Sequence, residues 1–151
     1  MSRKVIVEKR VFRQGEVIRG RSMKFSLARV LAFSGGLLGE SDWPHGNIHT
    51  DGKIARAAGL PDIIVSGTQF EGLLLSHLVR LFGSAWHISG ELEAKFVQSV
   101  YLDDVVTPVA MVQAVDPHGT GARLRLDVWC EKEGEEKVLV GTATVQTAQV
   151  H

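Results

Sequence analysis

The sequence predicts an α+β fold in which a long central helix is wrapped by a curled antiparallel sheet. Between Gly67 and Phe82 the apolar residues recur at steps of three and four, which is typical of a helix with one broad apolar face. From about residue 88 onward, apolar and polar residues alternate and short turn sequences interrupt them, as in antiparallel strands. A helix and a sheet that each carry one apolar face must pack together to bury those faces.

The N-terminal third is predicted to contain two strands followed by two short helices. Capping residues and glycines supply the helix boundaries, because side-chain oxygens satisfy the first free N–H groups and glycine readily ends a helix. The predicted elements are strands at Val5–Phe12 and Glu16–Met23 around Gln14-Gly15, a helix capped by Ser26 and ended by Gly35-Gly36, and a helix over Gly52–Ala58 capped by Thr50 or Asp51.

The C-terminal half is predicted to be strand throughout, and the short turns between its last three strands favour an antiparallel meander of those three. The predicted strands are Ile88–Leu102, Val105–Val115, Arg123–Lys132 and Lys137–Thr147, with turns at Asp103-Asp104, Asp116–Gly119 and Glu133–Glu135.

Composition narrows the class of protein. A length of 151 residues fits one domain, residues 1–151. The 17 basic and 17 acidic residues cancel, which gives no electrostatic reason to expect nucleic acid or a membrane as partner. Cys130 is the only cysteine and falls on an apolar strand face, so we expect a buried side chain and a reducing, cytoplasmic location. The N-terminus does not have the pattern of a signal peptide.

Two stretches of the chain resemble one known family. Asn47-Ile48-His49-Thr50-Asp51 is followed by Ala55 and Ala58-Gly59, and Ile63-Ile64-Val65-Ser66-Gly67-Thr68-Gln69 leads directly into the long helix. They resemble MaoC-like dehydratases and (R)-specific enoyl-CoA hydratases, which have the hot-dog fold. Later stretches are similar to the same family in the same order: Lys95-Phe96-Val97, Val100–Asp104 and Gly141–Val145. The resemblance implies a single hot-dog domain.

One position departs from the family pattern. The family has an aspartate five residues before the loop histidine, but Pro44 stands five residues before His49 in this chain. The nearest aspartate is Asp42, and the Ser-Gly-Asp of the family resembles Ser34-Gly35-Gly36 here. The loop is therefore longer than in the family, and Asp42 is the candidate to reach the site from the added residues.

The resemblance implies three catalytic residues. His49 would be the acid–base residue, because imidazole titrates near neutral pH. Asp42 would hold and deprotonate a water molecule beside it, and the N–H of Gly67 at the start of the long helix would stabilise charge on a carbonyl oxygen. His45 is the alternative base in the same loop.

Other residues receive smaller roles. Asn47, Ser66 and Trp43 are predicted to line the substrate site, although holding the loop is the favoured role of Asn47 and packing that of Trp43. Asp51 is expected to cap a helix and His77 to be a hydrogen-bonded core histidine. Ser66 lacks the second glycine of a nucleophile elbow. No metal site and no cofactor-binding motif is predicted, since neither an HExxH arrangement nor a Gly-rich phosphate loop occurs.

The implied function is a hydratase or dehydratase that adds or removes water across the 2,3 double bond of an acyl thioester, linked to CoA or to an acyl carrier. Two alternatives stay open. One is a thioesterase that uses Glu71 on the central helix, and the other is a subunit that binds acyl thioesters without turnover. The resemblance also implies a homodimer or higher homo-oligomer.

Overall fold

The computed structural model describes residues 4–7 and 10–148. Within these residues the helices are α1 (Leu27–Ser34), α2 (Gly52–Ala57), α3 (Gly67–Phe82) and α4 (Ser84–Ser89). The strands are β1 (Lys4–Val7), β2 (Arg10–Arg13), β3 (Val17–Arg19), β4 (Met23–Lys24), β5 (Glu91–Phe96), β6 (Val105–His118), β7 (Gly121–Glu131) and β8 (Lys137–Thr147). None of the helices in this part of the chain is long and apolar enough to cross a bilayer.

The main sheet is antiparallel and has the strand order β3-β6-β7-β8-β5, with β4 pairing to β6 as well. Strands β1 and β2 form a separate two-stranded antiparallel sheet. Helix α3 packs across β6 and β7. Its buried face consists of Phe70, Leu73, Leu74, His77, Leu78, Leu81 and Phe82. The α+β prediction of a long helix packed on an antiparallel sheet is confirmed.

Two predictions about buried side chains are confirmed. The His77 ring is 6% exposed and donates from Nε2 to the carbonyl of Ile18 at 3.1 Å. Burial lowers the pKa of His77, because the charged form loses its water. Cys130 is fully buried, and burial raises the pKa of its thiol to about 12. The thiol is therefore a small core side chain rather than a nucleophile.

The strand predicted at Ile88–Leu102 is wrong at both ends. Helix α4 occupies Ser84–Ser89, because Gly83 adopts a φ of 53° that lets the chain leave α3 and turn into a second helix. Buried Trp86 anchors that helix. The strand then runs only over β5, and it pairs with β8 rather than with the next strand along the chain.

Two further boundaries differ from prediction. Asp116–His118 was predicted as a turn but continues β6, and the hairpin closes at Gly119 with a φ of 57°. The long strands predicted at Val5–Phe12 and Glu16–Met23 are each divided into shorter pieces. Residues 8 and 9 of the first prediction lie outside the described residues. The predictions for α1, α2, α3 and β8 agree with the structure to within one residue.

Glu131 is a buried acid at the end of β7. Its carboxylate accepts hydrogen bonds from the Arg19 guanidinium and from Trp129 Nε1, the latter at 2.7 Å. Burial alone would raise the pKa of Glu131. The two hydrogen bonds and the charges of Arg19 and Lys137 outweigh burial and hold the pKa below its ordinary value.

We expect Glu131→Gln to lower the free energy of unfolding at pH 7 by about 1–3 kcal/mol, since a buried charge-assisted hydrogen bond is lost. Because the folded-state pKa is lowered, this stabilisation is full above the ordinary glutamate pKa of about 4.3 and is lost as pH falls through the folded-state value. Urea denaturation at pH 7 and below pH 4 measures both effects. Exposed Glu133→Gln is the control. Equal stability of the two variants at pH 7 would contradict a stabilising role for the Glu131 carboxylate.

Candidate functional site

The loop between α1 and α2 is fastened to the end of α1 by hydrogen bonds. Its backbone N–H at His45 donates to the carbonyl of Gly35 at 2.8 Å. The side-chain amide of Asn47 donates to the carbonyl of Ser34 at 2.9 Å, and Thr50 Oγ1 donates to the carbonyl of His45 at 2.6 Å. Asn47 therefore holds the loop in place, which is the positional role that its sequence context favoured.

His49 is half-buried and is fixed at two points. Its backbone N–H donates to Asn47 Oδ1 at 2.8 Å, and its ring Nδ1 lies 2.8 Å from the carbonyl oxygen of Ile64. A carbonyl oxygen only accepts, so Nδ1 must carry the proton of the neutral ring. The Nε2 atom of His49 is then unprotonated. No described residue is hydrogen-bonded to it.

The partner of His49 lies close to the start of α3. Ile64 is three residues before Gly67, the first residue of the helix. Three residues of extended chain span at most about 11 Å, so the imidazole is held within that order of distance of the helix start. The intervening backbone is itself fixed, because Val65 N–H donates to the carbonyl of Val100 at 2.8 Å.

The N-terminus of α3 presents a free backbone donor. No described residue accepts a hydrogen bond from the N–H of Gly67, and the N-cap Ser66 makes no capping hydrogen bond. Ser66 Oγ is instead 2.9 Å from Thr68 Oγ1. An unpaired N–H at a helix start, aligned with the helix dipole, favours an oxygen that carries negative charge.

Gly67 also has a packing reason to be glycine. An added Cβ would lie 2.9 Å from Cε1 of Phe96, on the edge strand β5. Any larger residue would have to displace that half-exposed ring. Close packing and a ligand-facing N–H both favour glycine at this position.

Asp42 lies beside His45 rather than beside His49. Asp42 Oδ1 is 3.3 Å from His45 Nε2, and Glu40 Oε2 is 3.0 Å from the same nitrogen. All three side chains are exposed. No hydrogen bond or ion pair joins Asp42 to His49 within the described ranges. The structure therefore does not bring the predicted pair together, because the loop directs the carboxylate onto the alternative histidine.

The three side chains of Glu40, Asp42 and His45 place their possible ligand atoms within 4.8 Å of one another. The sequence did not predict this group. Exposed acidic side chains commonly cluster in this way without an ion, and His45 itself ties the two carboxylates into the loop.

Trp43 packs the loop against the end of α1. It is half-buried, and a Cβ added at Gly35 would lie 2.9 Å from its Nε1 atom. That nitrogen is buried and has no hydrogen-bond partner among the described residues. These contacts are those of a packing residue. Asp51 caps α2 by accepting from the N–H of Lys53 at 2.7 Å, as predicted.

Sequence reasoning did not identify Ile64 as a site residue. Its contribution is a backbone carbonyl, which any residue type supplies, and it lies 15 residues from the histidine that it binds. The only available signal was its place just before the helix-opening Ser66-Gly67 pair.

No protein-family model matches the chain, and no curated protein matches it. Solved structures do match. A MaoC-like dehydratase from Rhodospirillum rubrum is similar with a TM-score of 0.72 and 19% identity over 91% of this chain and 94% of that one. An (R)-hydratase from A. caviae involved in PHA biosynthesis has a TM-score of 0.69 and 21% identity over 91% and 96%.

A third similar structure is an Archaeoglobus protein named as a monoamine oxidase regulatory protein. Its TM-score is 0.72 and its identity is 16%, over 97% of this chain and 96% of that one. At such identities the likeness concerns the fold, which unrelated activities can share. The chain therefore has the hot-dog fold found in MaoC-like dehydratases and (R)-hydratases.

Proposed function

We propose that this protein is a hydratase or dehydratase that adds or removes water across the 2,3 double bond of an acyl thioester. One observation carries the proposal. The carbonyl of Ile64 holds the His49 ring so that its Nε2 is unprotonated, and Ile64 lies three residues before a helix start with a free N–H. A base and an oxyanion donor in one neighbourhood are what this reaction needs.

His49 moves the proton in this mechanism. Its Nε2 takes a proton from water as the oxygen forms a bond to carbon 3 of the enoyl group. The electron pair of the double bond moves toward the thioester carbonyl and forms an enolate. The imidazolium then returns the proton to carbon 2, so the proton count balances on one side chain. The Ile64 carbonyl stabilises the imidazolium by accepting from Nδ1 throughout.

The N–H of Gly67 stabilises the enolate oxygen. Negative charge builds on that oxygen only as the reaction proceeds, so a donor fixed in advance lowers the barrier rather than merely tightening binding. Removal of one such donor costs about 100- to 1000-fold in rate in well-studied enzymes. Asn47 contributes by fixing the backbone of His49.

The structure does not place Asp42 beside His49, so a catalytic role for Asp42 stays a prediction. In the present arrangement its carboxylate lies 3.3 Å from His45 Nε2, which makes it a residue of loop structure. We therefore expect Asp42→Asn to reduce turnover only severalfold, and His49 to account for both proton transfers.

Incubation of the purified protein with crotonyl-CoA tests the proposal. We expect loss of the enone absorbance without release of free thiol, both followed in one cuvette with a thiol reagent added to a parallel sample. A longer 2-enoyl-CoA is the second substrate, because a short acyl group gives up apolar contacts. Absence of hydration with both substrates would contradict the proposal.

A thioesterase is the second candidate, and one observation favours it. Glu71 is half-buried in the second turn of α3, and no described residue forms a hydrogen bond or ion pair with its side chain. A carboxylate there is suited to direct water at a carbonyl held by the helix start. Thiol release that His49→Ala leaves intact and Glu71→Gln abolishes would select this reaction. Binding without either reaction would select a non-catalytic subunit.

We also propose that the protein assembles as a homodimer or larger homo-oligomer. Strand β5 is an edge of the main sheet, and its end is apolar: Phe96 is 47% exposed and the adjacent Val97 is 45% exposed. An apolar sheet edge of this kind is normally covered. Sedimentation at micromolar concentration should show more than one chain per particle.

A further inference from the structure

A cleft of about 440 Å³ runs along one face of α3 and is not part of the site described above. Its helical wall consists of residues that share one face by their spacing of three and four: Gln69, Gly72, Leu73, Ser76, His77 and Arg80. At 1.5 Å per residue, the eleven steps from Gln69 to Arg80 extend about 16 Å. The cleft begins two residues beyond Gly67 and leads away from it.

Helix α1 connects the cleft with the loop between α1 and α2 that carries His49. Arg29 and Phe33 of α1 form part of the opposite wall, and the next residue, Ser34, holds Asn47. Gln69 ties the two walls together, because its side-chain amide donates to the carbonyl of Arg29 at 3.2 Å. This hydrogen bond lies at the end of the cleft nearer Gly67, so a chain that extends from a thioester at Gly67 into the cleft has to pass beside it.

Three arginines surround the cleft: Arg21, Arg29 and Arg80. None of its described lining residues is acidic. Within the described ranges none of the three guanidinium groups forms an ion pair with a carboxylate, whereas Arg10, Arg19 and Arg125 elsewhere all do. Three positive charges around one opening favour a negatively charged ligand group.

The remaining lining residues indicate the chemistry of the ligand between its thioester and its charged group. Met23, Phe33, Leu73 and Pro108 make much of the wall apolar. Arg80 lies at the end of the helical wall away from Gly67, and Arg21 follows Gly20, which packs against His77 one turn earlier. Arg29 lies at the other end of the cleft, beside Gln69.

We infer that this cleft binds an anionic group at the far end of the thioester ligand, and that the group is a carboxylate at the end of the acyl chain. The inference rests on the proposed thioester function. The apolar wall favours an alkyl chain over the amide-rich arm of a carrier. Extended chain advances about 3.5 Å per three bonds, so about 16 Å corresponds to some fourteen bonds. Guanidinium groups bind carboxylates in paired hydrogen bonds.

Calorimetric titration with saturated thioesters tests the inference without any need for turnover. The probes are tetradecanoyl and tetradecanedioyl thioesters, which have the same number of carbons and differ by a terminal carboxylate, each on CoA and on pantetheine, which carries no phosphate. The proteins are the wild type, Arg21→Gln/Arg80→Gln, and Arg125→Gln as a matched control on β7, away from the cleft. Thermal melting checks that each variant is folded, and the single variants replace the double one if it is not.

We expect the double variant to bind both tetradecanedioyl thioesters about threefold to thirtyfold more weakly, the value of two exposed ion pairs. Both tetradecanoyl thioesters should change less than twofold. Weakening of both CoA thioesters and of neither pantetheine thioester would overturn the acyl-carboxylate assignment and give the anion site to the carrier phosphate. Unchanged affinity for all four probes would overturn the inference altogether.

The outcome is separable from that of the proposed function. Saturated thioesters cannot be hydrated, so a carboxylate preference that depends on Arg21 and Arg80 stands even if crotonyl-CoA is not turned over. Hydration of crotonyl-CoA with no such preference leaves the reaction in place and removes only the cleft assignment.

Discussion

Replacement of His49 by alanine should lower the rate of crotonyl-CoA hydration by about a thousandfold, within the range that a positioned acid–base residue contributes. The physical reason is the bond from Nδ1 to the Ile64 carbonyl, which fixes the tautomer and leaves Nε2 as the only available base of that ring. At neutral pH, water is too weak a nucleophile to add to the enoyl group unless a base takes its proton. Stopped assays at saturating substrate would measure the loss in kcat.

His45→Ala is the matched control for that experiment. His45 lies in the same loop, but its Nε2 is occupied by Glu40 and Asp42. We expect the control to keep activity to within severalfold, along with the melting temperature of the wild type. If His45→Ala loses activity and His49→Ala keeps it, the acid–base role belongs to the other histidine and the proposed geometry is wrong.

Leu74→Ala should reduce the free energy of unfolding by about 3–5 kcal/mol, as truncation of a fully buried leucine does where the surrounding core cannot collapse. Leu74 is 0% exposed and lies in the middle of α3, the helix that the main sheet covers. That loss is a large fraction of the stability of an ordinary domain. Urea denaturation followed by far-ultraviolet circular dichroism would measure it.

Leu37→Ala provides the comparison, since Leu37 is 73% exposed and should change stability by less than about 0.5 kcal/mol. The two variants make the same chemical change, one inside the core helix and one in an exposed loop. Similar losses in the two variants would mean that the central helix does not form the core in solution.

The central helix could be predicted from sequence almost residue by residue because several signals agreed. Gly67 and Gly83 bound a run whose apolar residues keep one face for sixteen residues. Helix α4 had no such support. It is six residues long, follows a glycine directly, and depends on burial of Trp86 in tertiary packing. A short apolar run next to a strand is ambiguous between the two structures.

Strand order was also beyond the sequence pattern. The alternation of apolar residues in β5 predicts that it belongs to a sheet, but not that β8 rather than β6 is its neighbour. Hydrophobic period fixes which face of a strand is buried, whereas pairing depends on the whole arrangement of strands.

The candidate site shows the same division. His49 and Gly67 carry roles that depend on residue type, so they could be selected from sequence. The direction in which a loop side chain points is not encoded by its spacing, and Asp42 therefore could not be placed beside one histidine rather than the other. Ile64 acts through its carbonyl oxygen, and backbone groups leave no mark in the residue type.

The tautomer of the His49 ring tests the central claim most directly. Long-range proton–nitrogen NMR of protein with labelled histidines distinguishes a protonated Nδ1 from a protonated Nε2, and the spectrum of His49→Ala assigns the signal. We predict Nδ1 protonated for His49. The control lies in the same spectrum, because His77 must donate from Nε2 to Ile18 and is predicted to be the opposite tautomer. A protonated Nε2 on neutral His49 would leave no free base beside the helix start and would contradict the account.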